Sequence, residues 1–178
     1  MLKKIRKTGN LKASILIANY NNGQYLKECI DSIKKQNYKN TEIIVHDDAS
    51  SDNSIKKLNE YKNIKIIKNK KRGRYGSYNQ MNAFYRAFKK SKGEILFLLD
   101  SDDFFKENKI KFITNFFIKN KKISSLFDLP IYKYKNELKF IKNKKKIISN
   151  YWPYIPPQSC IVIKRDDFIK MFRKINFN

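Results

Sequence analysis

The sequence predicts an α/β fold with a mostly parallel central sheet and helices on both of its faces. Short apolar runs rich in β-branched residues alternate with segments of helical periodicity through residues 13–103, which is the pattern of parallel strands joined by crossover helices. Two of these runs end in clustered aspartates. A length of 178 residues with 41% hydrophobic content is sufficient for one domain with a sizeable core.

The elements of the first half follow from periodicity and turn signals. Strands are expected at 14–18, 41–46, 63–68 and 93–99, and helices at 25–35, 54–61 and 79–90. Right-handed crossovers, with a reversal of direction after the third strand, give the strand order 3-2-1-4. The switch point then lies between the first and fourth strands, where ligands bind in open α/β sheets.

The second half of the chain is less regular. Ile110, Ile113 and Phe117, joined by Phe112 and Phe116, predict an amphipathic helix that covers the sheet. The remaining expectations are a pairing of 127–134 with 137–141, a solvated lysine loop at 142–146, a Pro-dense stretch at 151–157 and an apolar run at 159–163. Because no linker or repeat divides the chain, we predict a single domain over residues 1–178.

The net charge of +24 points to nucleic acid, but the composition weakens this interpretation. Of the 40 basic residues 34 are Lys, and they are spread over the whole chain. A dedicated nucleic-acid surface would cluster them and favour Arg. We therefore expect no specific nucleic-acid partner, whereas attraction to an anionic membrane surface or a phosphate-bearing substrate stays open.

Targeting and redox signals are few. No apolar run approaches the roughly 18 residues that span a bilayer, and the apolar stretch 13–18 is shorter than a signal-peptide core. Cys29 and Cys160 lie far apart, outside metal-type spacing, and are expected to be reduced thiols in the core. These signals predict a cytoplasmic protein, with peripheral association at the inner face of the membrane as an alternative.

The most informative segment is 98–103, an apolar strand that ends in Asp100, Asp102 and Asp103. Clustered carboxylates cost energy unless a cation compensates them. All-oxygen ligands select Mg²⁺ or Mn²⁺ and leave positions for phosphate oxygens. The alternative is that these aspartates only cap the next helix. In the predicted strand order, Asp47-Asp48 and Asn19-Tyr20 follow neighbouring strands at the same edge.

The chain resembles the family 2 glycosyltransferases, which have the glycosyltransferase A fold. The matching segments are 14–21, 26–38, 42–52 and 93–103, which together cover about residues 13–120 in the family's order and spacing. The resemblance implies an inverting, metal-dependent transfer of a sugar from a nucleoside-diphosphate donor, with uridine favoured, to a glycan or lipid-linked acceptor. Surface polysaccharide synthesis is the expected setting.

Carried over by position, the resemblance assigns roles to individual residues. Tyr20 would lie against the base, and Asp48 would accept from the base or ribose. Asp102, supported by Asp100, would ligate Mn²⁺ or Mg²⁺ on the diphosphate. The expected nucleotide-sugar site comprises Ala18, Asn19, Tyr20, Asp48, Arg72, Arg74, Asp100 and Ser101. Residues 13–103 would form the donor half, and 104–178 part of the acceptor half.

Some positions depart from the family pattern. The family commonly has Pro or Thr-Tyr-Asn where this chain has Ala18-Asn19-Tyr20, and an Asn usual in the third helix is Tyr85 here. Arg72 and Arg74 stand in a Gly-containing loop that the family also has. They either reach the diphosphate or base, or are solvated surface arginines.

The expected absence of the usual general base is the larger departure from the family pattern, because inversion needs a base within reach of the attacking hydroxyl. The family often carries it in a Glu-Asp pair after the strand that 159–163 resembles, and we expect this segment to be missing. Asp166 and Asp167 are the remaining candidates, although helix capping is favoured for both, and His46 is expected to be packed in its strand. The alternatives are a non-catalytic nucleotide-sugar-binding fragment and a basic polyanion-binding module.

Overall fold

A computed structural model describes residues 10–134, 137–140 and 157–173 of the chain. Its strands are β1 (Ala13–Asn19), β2 (Thr41–Asp47), β3 (Ile64–Lys68), β4 (Ile95–Asp100), β5 (Ser125–Phe127), β6 (Ile131–Tyr134), β7 (Glu137–Phe140) and β8 (Ile161–Lys164). Its α-helices are α1 (Leu26–Lys34), α2 (Ser54–Asn59), α3 (Gly76–Lys90), α4 (Lys109–Lys119) and α5 (Arg165–Arg173), and Gln158–Cys160 forms a 3₁₀ turn.

The central sheet has six strands in the order β3-β2-β1-β4-β8-β5. Strands β1 to β4 are parallel, and β8 is antiparallel to both of its neighbours. The predicted fold class and the predicted order 3-2-1-4 are therefore confirmed. The switch point lies where β1 meets β4.

Two apolar layers cover the sheet because side chains alternate along each strand. Ile15 and Ile17 of β1 face one layer, which α1, α2 and α4 complete. Leu16 faces the other layer, where Phe84 of α3 and Phe168 of α5 pack. Each fully buried side chain of this kind contributes about 1.5–3 kcal/mol. Both faces of the sheet are thus covered up to the point where its strands end in polar residues.

The predicted pairing of 127–134 with 137–141 needs a correction. Only Ile131–Tyr134 pairs with Glu137–Phe140, whereas Phe127 ends β5 in the central sheet. The Asp128 N–H donates to the Cys160 carbonyl at 3.0 Å, and Pro130 has no N–H to continue a ladder. The chain therefore leaves the central sheet before β6. The expectations for Ile141, 142–146 and 151–156 lie outside the described residues.

Helix α4 agrees with its prediction in part. Ile110, Ile113 and Phe117 are buried, but Phe112 is 73% exposed and so does not belong to the apolar face. Cys29 and Cys160 are buried thiols without a disulfide, as expected.

None of the helices in the described part of the chain is both long and apolar enough to cross a membrane.

Candidate active site at the switch point of the sheet

A cavity of about 340 Å³ opens at the carboxyl ends of β1, β2 and β4. Its lining residues are Ala18, Asn19, Tyr20, Asn22, Asp48, Arg72, Gly76, Asn79, Gln80, Ala83, Asp100 and Asp102. We call it the first cavity. It lies at the switch point, where crossover helices leave opposite faces of the sheet and open a crevice.

Most of the residues predicted for the site line this cavity, and two do not. Ser101 is fully buried beside it and accepts from Asn22 Nδ2 at 3.1 Å. Arg74 is exposed, and its guanidinium lies 5.7 Å from the ring centroid of Tyr75. The structure therefore brings Arg72 to the cavity wall and leaves Arg74 outside it.

The two aspartates after β2 have different surroundings. Asp47 is 1% exposed and accepts from Asn19 Nδ2 at 2.7 Å and from the N–H and hydroxyl of Ser50 at 3.0 and 2.7 Å. These bonds tie the end of β1 and the loop after β2 to the end of β2. The next residue, Asp48, lines the cavity. A carboxylate has about four acceptor positions, so Asp48 can still accept from a ligand.

Asp48 belongs to a polar network that connects three elements. Asn69, just after β3, donates from Nδ2 to Asp48 Oδ1 at 2.8 Å, and Arg72 Nε lies 3.3 Å from Asp48 Oδ2. Arg86 of α3 in turn donates to Asn69 Oδ1 at 2.6 Å. Sequence reasoning missed Asn69 and Arg86. The position of Asn69 directly after a strand at the same edge was the available signal.

Arg72 also covers the aromatic residue of the site. Its guanidinium carbon lies 3.5 Å from the ring centroid of Tyr20, which is cation–π geometry. The loop that carries Arg72 is tied to α3, because Asn79 Nδ2 donates to the Gly73 carbonyl at 2.8 Å. A Cβ at Gly73 would lie 2.4 Å from Asn79 Oδ1, so the Asn79 side chain would have to move away from this loop if residue 73 were not glycine.

Asp100, the last residue of β4, and Asp102 also line the cavity. Burial raises the pKa of Asp100 to about 6, and the charges of Asp103 and Asp102 add to this, while a hydrogen bond from Gln80 opposes it. That bond joins Gln80 Nε2 to Asp100 Oδ1 at 2.6 Å. Burial likewise raises the pKa of Asp103, whereas Asp102 is exposed. Sequence reasoning missed Gln80.

The carboxylates of Asp100 and Asp102 suit a hard divalent cation that is shared with a ligand. In the described ranges, no group of three or more His, Cys, Asp or Glu side chains could hold a metal ion. Asp100 and Asp102 supply carboxylate oxygens at the cavity wall. Mg²⁺ and Mn²⁺ are often bound by one or two carboxylates with phosphate oxygens and water as the other ligands. The residues therefore fit such an ion only together with a phosphate ligand.

The candidate bases are not brought to the first cavity. Asp166 and Asp167 lie in the first turn of α5, next to the amino end of β4, where Arg165 N–H donates to the Glu94 carbonyl at 2.9 Å. The length of β4 separates them from Asp100 by on the order of 15 Å.

His46 is packed inside β2, as expected, and is 1% exposed. Its ring nitrogens have no hydrogen-bond partner among the described residues. Burial and the nearby charge of Arg86 lower its pKa, while Asp48 and Asp47 oppose this. The imidazole is therefore neutral near pH 7 and is absent from the cavity lining.

The fold and the cavity define an α/β domain with a polar crevice at its switch point. The profile of "Glycosyl transferase family 2" matches residues 14–172, so the chain belongs to this family. Glycosyltransferase GlyG of Streptococcus pneumoniae is 34% identical over 102 residues, which are 55% of this chain and 32% of that protein. WfgD of Escherichia coli, a UDP-Glc:α-D-GlcNAc-diphosphoundecaprenol β-1,3-glucosyltransferase, is 34% identical over 110 residues, 60% of this chain and 41% of WfgD.

Solved structures share the fold. Staphylococcus aureus TarS 1-349 in complex with UDP superposes with a TM-score of 0.63 at 19% identity, over 91% of this chain and 49% of that one. Mannosyltransferase PcManGT of Pyrobaculum calidifontis, in complex with GDP-Man and Mn²⁺, gives a TM-score of 0.66 at 14% identity, over 92% and 47%. The glycosyltransferase A fold is therefore confirmed. The chain spans less than half the length of these relatives and structures.

Proposed function

We propose that this chain binds the nucleoside-diphosphate sugar of a metal-dependent, inverting glycosyltransferase that acts in polysaccharide synthesis. The observation that carries the proposal is the division of the first cavity. Arg72 contacts both Tyr20 and Asp48, and Asp100 and Asp102 line the same cavity from the end of β4, on the other side of β1 from Asp48. An aromatic face with a carboxylate acceptor suits a base and ribose, and the paired carboxylates suit a metal-bound diphosphate.

The donor and acceptor classes are inferred from relatives. WfgD is named for UDP-Glc and for a diphosphoundecaprenol-linked acceptor, and TarS has been solved with UDP-GlcNAc. PcManGT, in contrast, was solved with GDP-Man. We favour a uridine donor and a glycan or lipid-linked acceptor for this chain.

A divalent ion would resolve an electrostatic conflict in the first cavity. A carboxylate about 5 Å from a phosphate charge is repelled by roughly 3 kcal/mol at an effective dielectric near 20. Asp102 and Asp100 would hold Mn²⁺ or Mg²⁺, which would attract the diphosphate and supply Lewis-acid stabilisation of the departing group. The role of the chain's residues is to orient the donor: Tyr20 and Asp48 at the base, Arg72 beside them.

A non-catalytic nucleotide-sugar-binding role is the second candidate. It is favoured by the position of Asp166, Asp167 and His46 away from the first cavity, since inversion needs a base beside the acceptor hydroxyl. Both candidate functions predict binding of the donor, and only the glycosyltransferase function predicts transfer of the sugar.

The deciding experiment is calorimetric titration of the chain with UDP, UMP and GDP, with and without Mn²⁺. We expect metal-dependent binding of UDP and at least about tenfold weaker binding by Asp102→Asn, about 1.4 kcal/mol. Asp166→Asn, at the opposite edge of the sheet, is the matched control. Binding of UDP that is equally strong without the ion would contradict the metal role. Polyanion binding that falls steeply with salt, in the absence of any nucleotide binding, would instead support the polyanion-binding alternative.

The cytoplasmic location and the peripheral membrane association stay predictions. Sedimentation of the chain with vesicles that contain anionic lipids, at low and high salt, tests the association, because binding driven by lysine charge is screened within about 8–10 Å at physiological salt.

A further inference from the structure

A second cavity of about 190 Å³ lies on the other side of the carboxylate loop. It is lined by Asp103, Phe104, Lys106, Lys109, Asp128, Leu129, Pro130, Ile131, Tyr132, Leu138, Pro157, Ser159 and Cys160. Asp102 lines the first cavity and its neighbour Asp103 lines the second. The two cavities therefore meet at one turn of the chain.

An ion pair lies in the wall of the second cavity. Lys109 Nζ is 2.8 Å from Asp128 Oδ2 and donates to the Ser159 carbonyl at 2.9 Å. The Lys109 side chain is only 13% exposed. A shielded ion pair of this kind is weak evidence for stability, because desolvation offsets the attraction. A role in ligand binding therefore explains the position of the Lys109–Asp128 ion pair better than a role in stability does.

The Asp128 carboxylate is incompletely satisfied. Its Oδ1 atom is buried and has no hydrogen-bond partner in the described part of the chain. The Cys160 thiol lies beside it, and burial together with this carboxylate raises the pKa of the thiol to about 12. A neutral thiol is a weak donor. A buried acceptor without a good partner is costly, and the torsion that turns a carboxylate is soft, so a ligand hydroxyl can engage Asp128.

The remaining walls determine the class of ligand. Tyr132 and Leu138 are 53% and 47% exposed, and Ile131 and Pro130 continue this apolar side. The charged lining residues balance, since Asp103 and Asp128 stand against Lys106 and Lys109. A phosphate group would gain little attraction from two acidic and two basic side chains together. An alkyl chain would cover these charged groups and remove them from water, which is costly. A neutral sugar ring suits both parts, because it has an apolar face and a rim of hydroxyls.

We propose that the second cavity binds a neutral sugar ring of the acceptor, with Asp128 and Lys109 contacting its hydroxyls and Tyr132 its apolar face. This inference rests on the proposed donor site in the first cavity. Ser159 connects the two sites, because its hydroxyl accepts from Asp100 N–H at 2.9 Å while its carbonyl accepts from Lys109. The acceptor ring would thus lie next to the donor sugar.

Ligand-observed NMR titrations of the 178-residue chain, saturated with UDP and Mn²⁺, test the inference. The probes are the methyl β-glycosides of glucose, N-acetylglucosamine and mannose. We expect saturable binding of at least one, weakened at least about tenfold by Tyr132→Ala and by Asp128→Asn. Tyr134→Ala is the matched control, because Tyr134 lies two residues along β6, is also exposed at 57%, and is outside the lining.

The outcomes separate the two proposals. Tyr132→Ala changes an exposed side chain, so its effect is not confounded by unfolding. If UDP binds and none of the glycosides does, or if a glycoside binds equally to all variants, the second cavity is not a sugar site, and the donor site stands. If UDP itself does not bind, the proposed function fails first. Affinity for UDP that stays within about twofold in all three variants is the expected internal control.

Discussion

The guanidinium of Arg72 lies 3.5 Å from the ring centroid of Tyr20, on an aromatic face of the first cavity. The same side chain reaches Asp48, with Nε 3.3 Å from Oδ2. Arg72 thus already contacts both groups that are proposed to bind the base, the Tyr20 ring and the Asp48 carboxylate. A base that stacks on this face has to displace the guanidinium, at a cost of about 0.5–1 kcal/mol for a partly exposed cation–π contact.

The first prediction is that Arg72→Ala affects diphosphate and nucleoside differently. The displaced cation attracts phosphate charge, so UDP should bind several-fold more weakly to the variant. Uridine carries no phosphate and should bind equally well or slightly more tightly, because it no longer competes with the guanidinium for Tyr20. Calorimetric titration with both ligands measures this difference. Arg74→Ala, in the same loop but outside the cavity, should change neither affinity.

A different result for Arg72→Ala would revise its role. Equal weakening of uridine and UDP would identify Arg72 as a contact to the base, and the occlusion of Tyr20 would then be irrelevant to binding.

The second prediction concerns the division of the first cavity. Asp48→Ala and Tyr20→Ala should weaken UMP and UDP alike, because their contacts lie on the base and ribose side. Asp102→Asn should weaken Mn²⁺-dependent UDP binding and spare UMP more. Titrations with both nucleotides at saturating Mn²⁺ compare the variants. Similar losses for both nucleotides in all three variants would show that the site is not divided in this way.

The third prediction separates the two adjacent aspartates after β2. Asp47→Ala should lower stability by about 2–4 kcal/mol, because the buried carboxylate accepts from Asn19 and Ser50, and charged hydrogen bonds are worth about 1.5–3 kcal/mol each without being additive. Asp48→Ala should lower stability less, because Asp48 accepts one 2.8 Å bond from Asn69 and pairs with a partly exposed Arg72. Equal unfolding midpoints in urea for the two variants would contradict the structural role of Asp47.

The fourth prediction concerns Gln80, which positions Asp100 through the 2.6 Å bond from Nε2 to Oδ1. Gln80→Met keeps the length of the side chain and removes the donor. Mn²⁺-dependent binding of UDP should weaken by a factor of about three to ten, on the order of 1 kcal/mol for one hydrogen bond. UMP without the ion should bind as before. Weakened UMP binding would indicate that the substitution disturbs the helix rather than the carboxylate.

The sequence predicted the first half of the fold well for a physical reason. Strands such as Ala13–Asn19 and Ile95–Asp100 are buried on both faces, so they are continuous apolar runs with polar ends. Aspartates at those ends could be assigned to one edge of the sheet from topology alone. The confirmed strand order 3-2-1-4 follows from the same rules.

The rest of the fold and the partners of the site residues depend mostly on contacts that hydrophobic periodicity does not encode. Strand β5 has three residues, Ser125–Phe127, too few for a pattern. In helix α4, by contrast, helical spacing alone puts Phe112, two residues after Ile110, on the face opposite the buried one, so its exposure could have been expected. The partners of the site residues, Gln80 and Asn69, are polar side chains whose relevance appears only when α3 and the end of β3 lie beside the carboxylates.

The fifth prediction concerns acid stability and Glu42, at the start of β2. Burial alone would raise the pKa of Glu42, but bonds from Lys65, Ser14 and the Lys92 N–H lower it to about 2. A folded-state pKa below the unfolded value of about 4.3 gives stability that is fully present above pH 5 and is lost as the pH falls toward 2. Since Glu42 is only partly shielded, this contribution is on the order of 1–2 kcal/mol.

Glu42→Gln should therefore be less stable than the native chain at pH 7, and the difference should shrink as the pH is lowered. Urea unfolding midpoints between pH 7 and pH 2.5 measure both effects. Glu107→Gln removes an exposed carboxylate and controls for the change in net charge. A stability gap between Glu42→Gln and the native chain that stays constant down to pH 2.5 would show that Glu42 acts through packing, because the loss of a charge interaction has to follow the titration of the carboxylate.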